Sequence, residues 1–176
     1  MAASARSGDW DKLMGVMGRF DEKLKKNARE ALSRAGAELA GRVQERILDG
    51  KDMKPLHGFT IEQKGSSKPL IDDGDLLGSV GFSFMDEFSV IVGVNRKAKD
   101  GTDVAALHER EEGTRVPVTP KMRAFLHAKG FHLKPETREL FIPGRPFLKP
   151  VARDYEASGR LRELGLEVIE KTVAED

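Results

Sequence analysis

The sequence has no cysteine, almost no net charge and no long apolar run, and each absence excludes a class of protein. Without cysteine among its 176 residues, the chain has no disulfide, no thiol catalysis and no cysteine-ligated zinc. Its 30 basic and 29 acidic residues nearly cancel, so no global positive field requires a nucleic acid as partner. No apolar stretch approaches the ~20 residues of a membrane span, and the N-terminal residues lack the apolar centre of a secretory signal. These features predict a soluble protein in a cytoplasm-like compartment.

Motifs of the common enzyme classes are also missing. The sequence contains no phosphate-binding Gly-x-x-x-x-Gly-Lys-Ser/Thr loop, no dinucleotide-binding fingerprint and no serine nucleophile elbow. Its four histidines do not follow a metal-binding spacing such as His-Glu-x-x-His, and His127 and His132, which flank Gly130, favour surface or helix-capping roles. We therefore predict that the protein is not an enzyme and binds no cofactor and no metal.

Two acidic clusters could either bind a metal and act in catalysis or cap a helix. Asp72, Asp73 and Asp75 form one cluster, and Glu109 to Glu112 contain the other. Paired carboxylates can hold a divalent cation or act as an acid and a base, although this spacing does not match an EF-hand loop. Capping of a short helix over residues 76–79 by Asp73 or Asp75 is the favoured interpretation. A metal-dependent hydrolase that uses Asp72, Asp73 and Asp75 remains open.

Helical periodicity dominates the first 50 residues, where apolar residues recur at steps of three and four. Gly15 and Gly18 predict a short helix and a break near residues 18–21, followed by a long helix that stops at Asp49-Gly50. Residues 51–68 are rich in Gly, Ser, Lys and Pro, which predicts an extended, mobile loop that becomes ordered against a neighbouring subunit. The apolar stripe consists of Trp10, Leu13, Met17, Phe20, Leu24, Ala28, Ala31, Ala35, Leu39, Val43 and Ile47.

The second half of the chain alternates strands and short helices. Residues 81–94 alternate apolar with small or polar side chains, which predicts an antiparallel hairpin with one buried face and a turn at 85–88. Residues 137–142 form a third strand candidate. Capping and stop signals predict helices at Val104 to about Glu111 with Gly113 as the stop, at 121–129 between Thr119-Pro120 and Gly130, and from Pro146 onward with a break at Ser158-Gly159.

This element order predicts an α+β fold: a long N-terminal helix, a small antiparallel sheet (the hairpin plus a further strand) packed with helices, and a C-terminal helix. The length fits one domain over residues 1–176, with a long loop at about 51–68.

The run Leu140-Phe-Ile-Pro-Gly-Arg-Pro-Phe-Leu-Lys-Pro150 is the most informative stretch. Its apolar, strand-like part stops at Pro143-Gly144, and Pro146 supplies the preset backbone angle of a helix start. The pattern predicts a fixed corner in which Phe147 lies in the core and Arg145 pairs with a carboxylate or a backbone carbonyl.

Several segments, taken in order, resemble the Mu-like phage virion morphogenesis proteins, relatives of the tail-completion and head–tail joining proteins of long-tailed bacteriophages. The resemblance covers roughly residues 68–151. One departure is Arg110-Glu-Glu112, where the family commonly has an aromatic residue before the glycine. The matching segments are Lys68–Val80, Val90–Asn95, Val104–Glu109, Glu112–Thr114, Val118–Arg123 and Phe141–Pro150.

The resemblance implies a small structural subunit that forms a ring, usually sixfold, where the phage tail meets the head. The implied partners are further copies of the chain, a tail-tube or tail-terminator protein, and the head–tail connector or adaptor proteins. The implied location is the neck of the virion, with host cytoplasm during assembly, and no membrane or specific nucleic acid is involved. A tail terminator or a head-completion protein of the same neck region is the nearest alternative.

Under this hypothesis the candidate residues are architectural. An alternative of another class is a nucleic-acid-binding protein that uses a basic cluster in the loop after the hairpin together with residues 121–134. The structural motif residues are Asp73, Gly74, Leu77, Gly113, Arg145, Pro146 and Phe147. The expected intersubunit or tail contacts are Lys54, Phe59, Lys64, Arg96, Lys97 and Lys99, of which the last three form the basic cluster.

Overall fold

The computed structural model describes residues 9–72, 74–95, 101 and 103–174. The predicted α+β class is confirmed, with a long N-terminal helix and a C-terminal helix around small antiparallel sheets. Asp73, Arg96, Lys97 and Lys99 lie outside the described residues. The helices are α1 (Trp10–Asp49), α2 (Gly58–Lys64), α3 (Asp75–Gly78), α4 (Val104–Glu109), α5 (Pro120–Ala128), α6 (Leu148–Ala157) and α7 (Arg160–Ala174). The strands are β1 (Val80–Asp86), β2 (Ser89–Val94), β3 (Thr114–Pro117) and β4 (Glu139–Ile142).

Helix α1 is continuous over 40 residues, so the predicted break near residues 18–21 is wrong. Glycine costs a helix roughly 1 kcal/mol relative to alanine, but unlike proline it keeps its N–H and leaves the hydrogen-bond ladder intact. Asp9 caps the start by accepting from the N–H of Lys12, and Gly50 ends the helix in a left-handed conformation, as predicted. At 1.5 Å per residue, α1 is about 60 Å long.

The strands form two separate two-stranded sheets. In the predicted hairpin, Phe82 pairs with Val92 and Phe84 with Val90, so these side chains share the face that packs on α1. Strand β4 pairs antiparallel with β3, which the sequence did not predict, and does not join the hairpin. Because β3 has only four residues and ends at Pro117, it lacks the longer apolar alternation that identifies a strand.

The main core gathers around the C-terminal half of α1. Val43 and Ile47 are fully buried there, in one cluster with residues of the hairpin, α3, α4 and the start of α6. A second cluster joins Ala31 and Ala35 of α1 to Leu164 of α7. The core residues of the first cluster are Ala40, Val43, Ile47, Leu76, Val80, Ala105, Phe147 and Val151.

The turn between α6 and α7, at the predicted Ser158-Gly159 break, is held to α1 by a polar cluster. The guanidinium of Arg160 donates two hydrogen bonds to the carboxylate of Glu38, at 2.9 and 3.1 Å, and the hydroxyl of Tyr155 donates a third at 3.0 Å. The bonds from Arg160, and secondarily from Tyr155, hold the pKa of Glu38 below its ordinary value, although partial burial opposes the shift.

The low pKa of Glu38 predicts a loss of stability in acid. A carboxyl with a lowered folded-state pKa stabilises the fold above its unfolded pKa, and this contribution disappears as pH falls through the folded value. We expect Glu38→Gln to lower the free energy of unfolding by about 1 kcal/mol near pH 7 and by much less near pH 3. Urea unfolding of the parent and the variant at the two pH values measures this effect. If the variant were less stable than the parent by the same amount at both pH values, the prediction would be wrong.

Candidate functional site

Residues 107–114 and 141–149 lie against each other, and we refer to these two segments together as the interlocked joint. The N–H of Arg145 donates to the carbonyl of His108 at 2.8 Å. The hydroxyl of Thr114 donates to the carbonyl of Leu107 at 3.3 Å, and Thr114 pairs with Ile142 at the end of the β3–β4 sheet. Segments more than 25 residues apart in sequence therefore form one structural unit.

Glu109 caps helix α6 from the other side of the interlocked joint. One carboxylate oxygen accepts from the N–H groups of Phe147 and Leu148, both at 2.7 Å, and the second accepts from the N–H of Lys149 at 3.2 Å. These are the first N–H groups of a helix, which have no partner within it and which attract negative charge. Sequence reasoning missed this role because the cap comes from outside α6 and no local signal connects it to that helix.

Two glycines allow the two segments to approach each other. Gly113 has φ +83°, and a Cβ there would lie 2.6 Å from the carbonyl oxygen of Ile142. A Cβ on Gly144 would overlap the carbonyl oxygen of Arg110. Helix α4 ends at Glu109, so the prediction that Gly113 stops this helix is wrong. Gly113 instead provides close backbone contact at the joint.

Arg145 ties a third segment to the interlocked joint. Its side chain is 5% exposed, and its Nε and Nη2 donate to the carbonyl oxygens of Lys54 and Pro55 at 2.7 and 2.9 Å. This is the carbonyl pairing that the sequence predicted. Phe147 is 0% exposed in the core, also as predicted, and the carbonyl of Pro146 accepts from Arg46 at the end of α1. The corner therefore joins α1, α4 and residues 54–55.

The segment 51–68 packs on its own chain and contains helix α2, so the predicted extended loop is wrong. The ring of Phe59 lies 4.6 Å from that of Phe131, and Lys64 donates to the carbonyl of Lys68 at 2.9 Å. The composition of the segment could not predict this structure, because the residues that hold the segment, Arg145 and Phe131, are distant in sequence. Contacts of Lys54, Phe59 and Lys64 with another subunit remain a prediction.

Helix α3 lies directly before the hairpin, and two of the predicted structural motif residues, Gly74 and Leu77, lie at its start and within it. Gly74 is its N-cap in a left-handed conformation with φ +81° and has no side chain to cap with, and Asp75 is its first residue. Asp75 therefore does not occupy the capping position, and Asp73, the other residue predicted to cap this helix, lies outside the described residues. Leu77 is half-buried and packs against the main core.

A cleft of about 720 Å³ opens beside the interlocked joint. Its walls include Leu56, Leu70 and Phe141, and Arg145 and His108 supply polar groups. The Nδ1 of His108 is buried and has no hydrogen-bond partner among the described residues. Burial, and secondarily the charge of Arg145, lower the pKa of His108, so its imidazole is neutral at pH 7. The lining also includes the charged residues Asp72, Asp75 and Lys64, so the cleft combines apolar and charged walls.

Neither a metal centre nor a membrane helix is found in the described ranges. Over 9–72, 74–95 and 103–174, no group of three or more His, Cys, Asp or Glu side chains could hold a metal ion. Over the same ranges, no helix combines the length and apolar character needed to cross a bilayer. His127 and His132, which the sequence placed around a helix stop, contact each other edge to face with ring centres 4.4 Å apart.

No protein-family model matches the chain, and no curated protein or solved structure is significantly similar to it. The interpretation of function therefore depends on the residues of the interlocked joint and on the exposed surfaces around it.

Proposed function

We propose that the protein is a structural subunit of a phage neck, which forms a ring that completes the tail and joins it to the head connector. The observation that most supports this is the interlocked joint, in which segments of the family-like pattern contact one another directly. Its charged groups Glu109 and Arg145 bind backbone, at a helix start and at two carbonyls. Groups used in this way rigidify a subunit, which is what a building block requires.

The surface offers apolar side chains that a ring could bury. Large exposed residues lie on the hairpin, on α5 and on β4, in three different parts of the subunit. Closed rings arise when one patch of a subunit contacts a different patch of its neighbour. Among these exposed residues are Met85, Phe88, Ile91, Phe125 and Phe141.

The test is the assembly state with and without the tail-tube protein of the same virion. We expect native mass spectrometry and electron microscopy to find a closed ring, most simply of six copies, seated on the end of the tube. A protein that remains monomeric and does not bind the tube would overturn the proposal. Tight duplex-DNA binding by a monomer, with affinity that falls steeply with salt, would favour the nucleic-acid-binding alternative.

A tail terminator and a head-completion protein would both form rings, so the two ends of the neck distinguish them. Electron microscopy of mixtures with the tail tube and, separately, with the head connector shows which surface the ring occupies. Binding to the tube end, with later addition of the connector, is the result expected for tail completion.

A further inference from the structure

The N-terminal part of α1 extends beyond the folded body, and we refer to residues 10–24 as the arm. Trp10, Met14 and Met17 are 52, 67 and 60% exposed, whereas Phe20 and Leu24, nearer the folded body, are half-buried. Helix α7 runs antiparallel to α1, with Arg160 bound to Glu38 at one end. Helix α7 ends at Ala174, near the level of Asn27. The apolar stripe of α1 therefore continues toward the N-terminus beyond the part that α7 covers.

The spacing within the arm is that of a coiled coil. Its stripe advances by steps of three, four, three and four from Trp10 to Leu24, whereas the packed part of α1 advances almost entirely by steps of four. An alternating three-four spacing averages 3.5 residues and keeps one narrow seam facing a helical partner. The outer positions of this heptad are polar or glycine, namely Asp11, Lys12, Gly15, Gly18, Arg19 and Glu22.

The arm has little packing within its own subunit to stabilise it. It extends a helix that is already formed and needs no new nucleus, but Gly15 and Gly18 each cost the helix roughly 1 kcal/mol relative to alanine. Both glycines lie on the outer face, where they do not interrupt the seam. Exposed Trp10, Met14 and Met17 add an apolar surface that association would remove from water.

We propose that the arm pairs antiparallel with the arm of a second copy of this chain. In the register that places Trp10 opposite the partner's Phe20, Asp9 and the partner's Lys23 flank the seam on the same side, two residues out of level, and both pairs occur twice by symmetry. A parallel pair would oppose the two Trp10 rings and bring no opposite charges together along the flanks of the seam. The antiparallel partner also continues the line of α7, which covers α1 in the same direction.

This inference does not depend on the proposed function. The arm lies beyond Asn27, and Arg46 at the interlocked joint is 19 residues further along α1. At 1.5 Å per residue this separation is about 28 Å. Pairing of the arms therefore leaves the joint, the cleft and the hairpin available for other contacts.

The absence of native cysteine allows a direct test by disulfide cross-linking. Oxidation of a mixture of the Trp10→Cys and Phe20→Cys proteins should give a mixed disulfide dimer, and Trp10→Cys alone should give little. Glu22→Cys, on the outer face of the arm, is the control and should give little alone or in mixtures. Efficient self-linking of Trp10→Cys alone would indicate a parallel pair and overturn the proposal.

Sedimentation equilibrium of the unaltered protein, which contains no cysteine, gives an independent measurement. We expect a dimer whose association is weakened at least about tenfold by Met17→Asp, because a carboxylate would have to be buried in the seam. Arg19→Asp, which places the same residue on the outer face, should leave the dimer largely intact. At a protein concentration low enough for the parent to be monomeric, both variants should unfold in urea as the parent does, since both positions are exposed. A parent protein that is monomeric at its highest soluble concentration would overturn the proposal.

Discussion

Gly144→Ala is expected to destabilise the protein by about 3 kcal/mol or to prevent folding. The added Cβ would overlap the carbonyl oxygen of Arg110 and lie 2.9 Å from that of Glu111. Both obstacles are backbone atoms, and the hydrogen bond from Arg145 N–H to His108 holds the two segments at this separation. The joint can accept the methyl group only by opening.

Gly165→Ala is the matched control for this prediction. Gly165 lies within α7, and a Cβ there would meet no atom within 4 Å. Alanine is favoured over glycine in a helix by roughly 1 kcal/mol, so this variant should be slightly more stable than the parent. Urea unfolding followed by circular dichroism measures both changes. If the free energy of unfolding changed by a similar amount in both variants, the backbone at Gly144 would not lie close to Arg110 in solution.

Arg145→Ala is expected to cost about 3 kcal/mol, because it leaves a cavity and removes the donors of two buried hydrogen bonds. The carbonyls of Lys54 and Pro55 would lose their partner, and the segment that leads into α2 would lose its attachment. Arg145→Lys should recover only part of the loss, because an ammonium group cannot reproduce the fork of the guanidinium.

Two measurements distinguish the attachment of residues 54–55 by Arg145 from a general effect of removing a positive charge. Hydrogen exchange should accelerate in residues 54–64 of Arg145→Ala under conditions in which α1 remains protected. Arg153→Ala removes an arginine that is 73% exposed and 3.8 Å from Glu111, and it should change stability by no more than about 0.5 kcal/mol. If the two alanine variants lost equal stability, the fastening role of Arg145 would be refuted.

Local signals in the sequence predicted most of the regular structure. The cap at Thr119, the stop at Gly50 and the break at Ser158-Gly159 each depend on a few adjacent residues, and all three occur in the structure. Strand β3 and helix α2 were missed because they are short and depend on distant partners. The break in α1 was wrong because glycine weakens a helix without removing a hydrogen bond.

The interlocked joint was predicted in part. Burial of Phe147 and the backbone pairing of Arg145 follow from a strand, a corner and a helix start that are adjacent in sequence. The carbonyl acceptors at residues 54 and 55 lie 91 and 90 residues before Arg145, and Glu109 lies 38 residues before Phe147, the first residue that it caps. No local pattern in the sequence indicates either partner. Tertiary folding alone brings these groups together.

The side chains of Asn27 and Thr172 are hydrogen-bonded at 3.1 Å although 145 residues separate them. Ala31 and Ala35 are covered by the same helix, α7. During synthesis, this part of α1 leaves the ribosome long before residues 160–174 exist, so its apolar face stays uncovered until α7 has been made. A chain that terminates before residue 160 should therefore expose this face and be degraded or bound by chaperones.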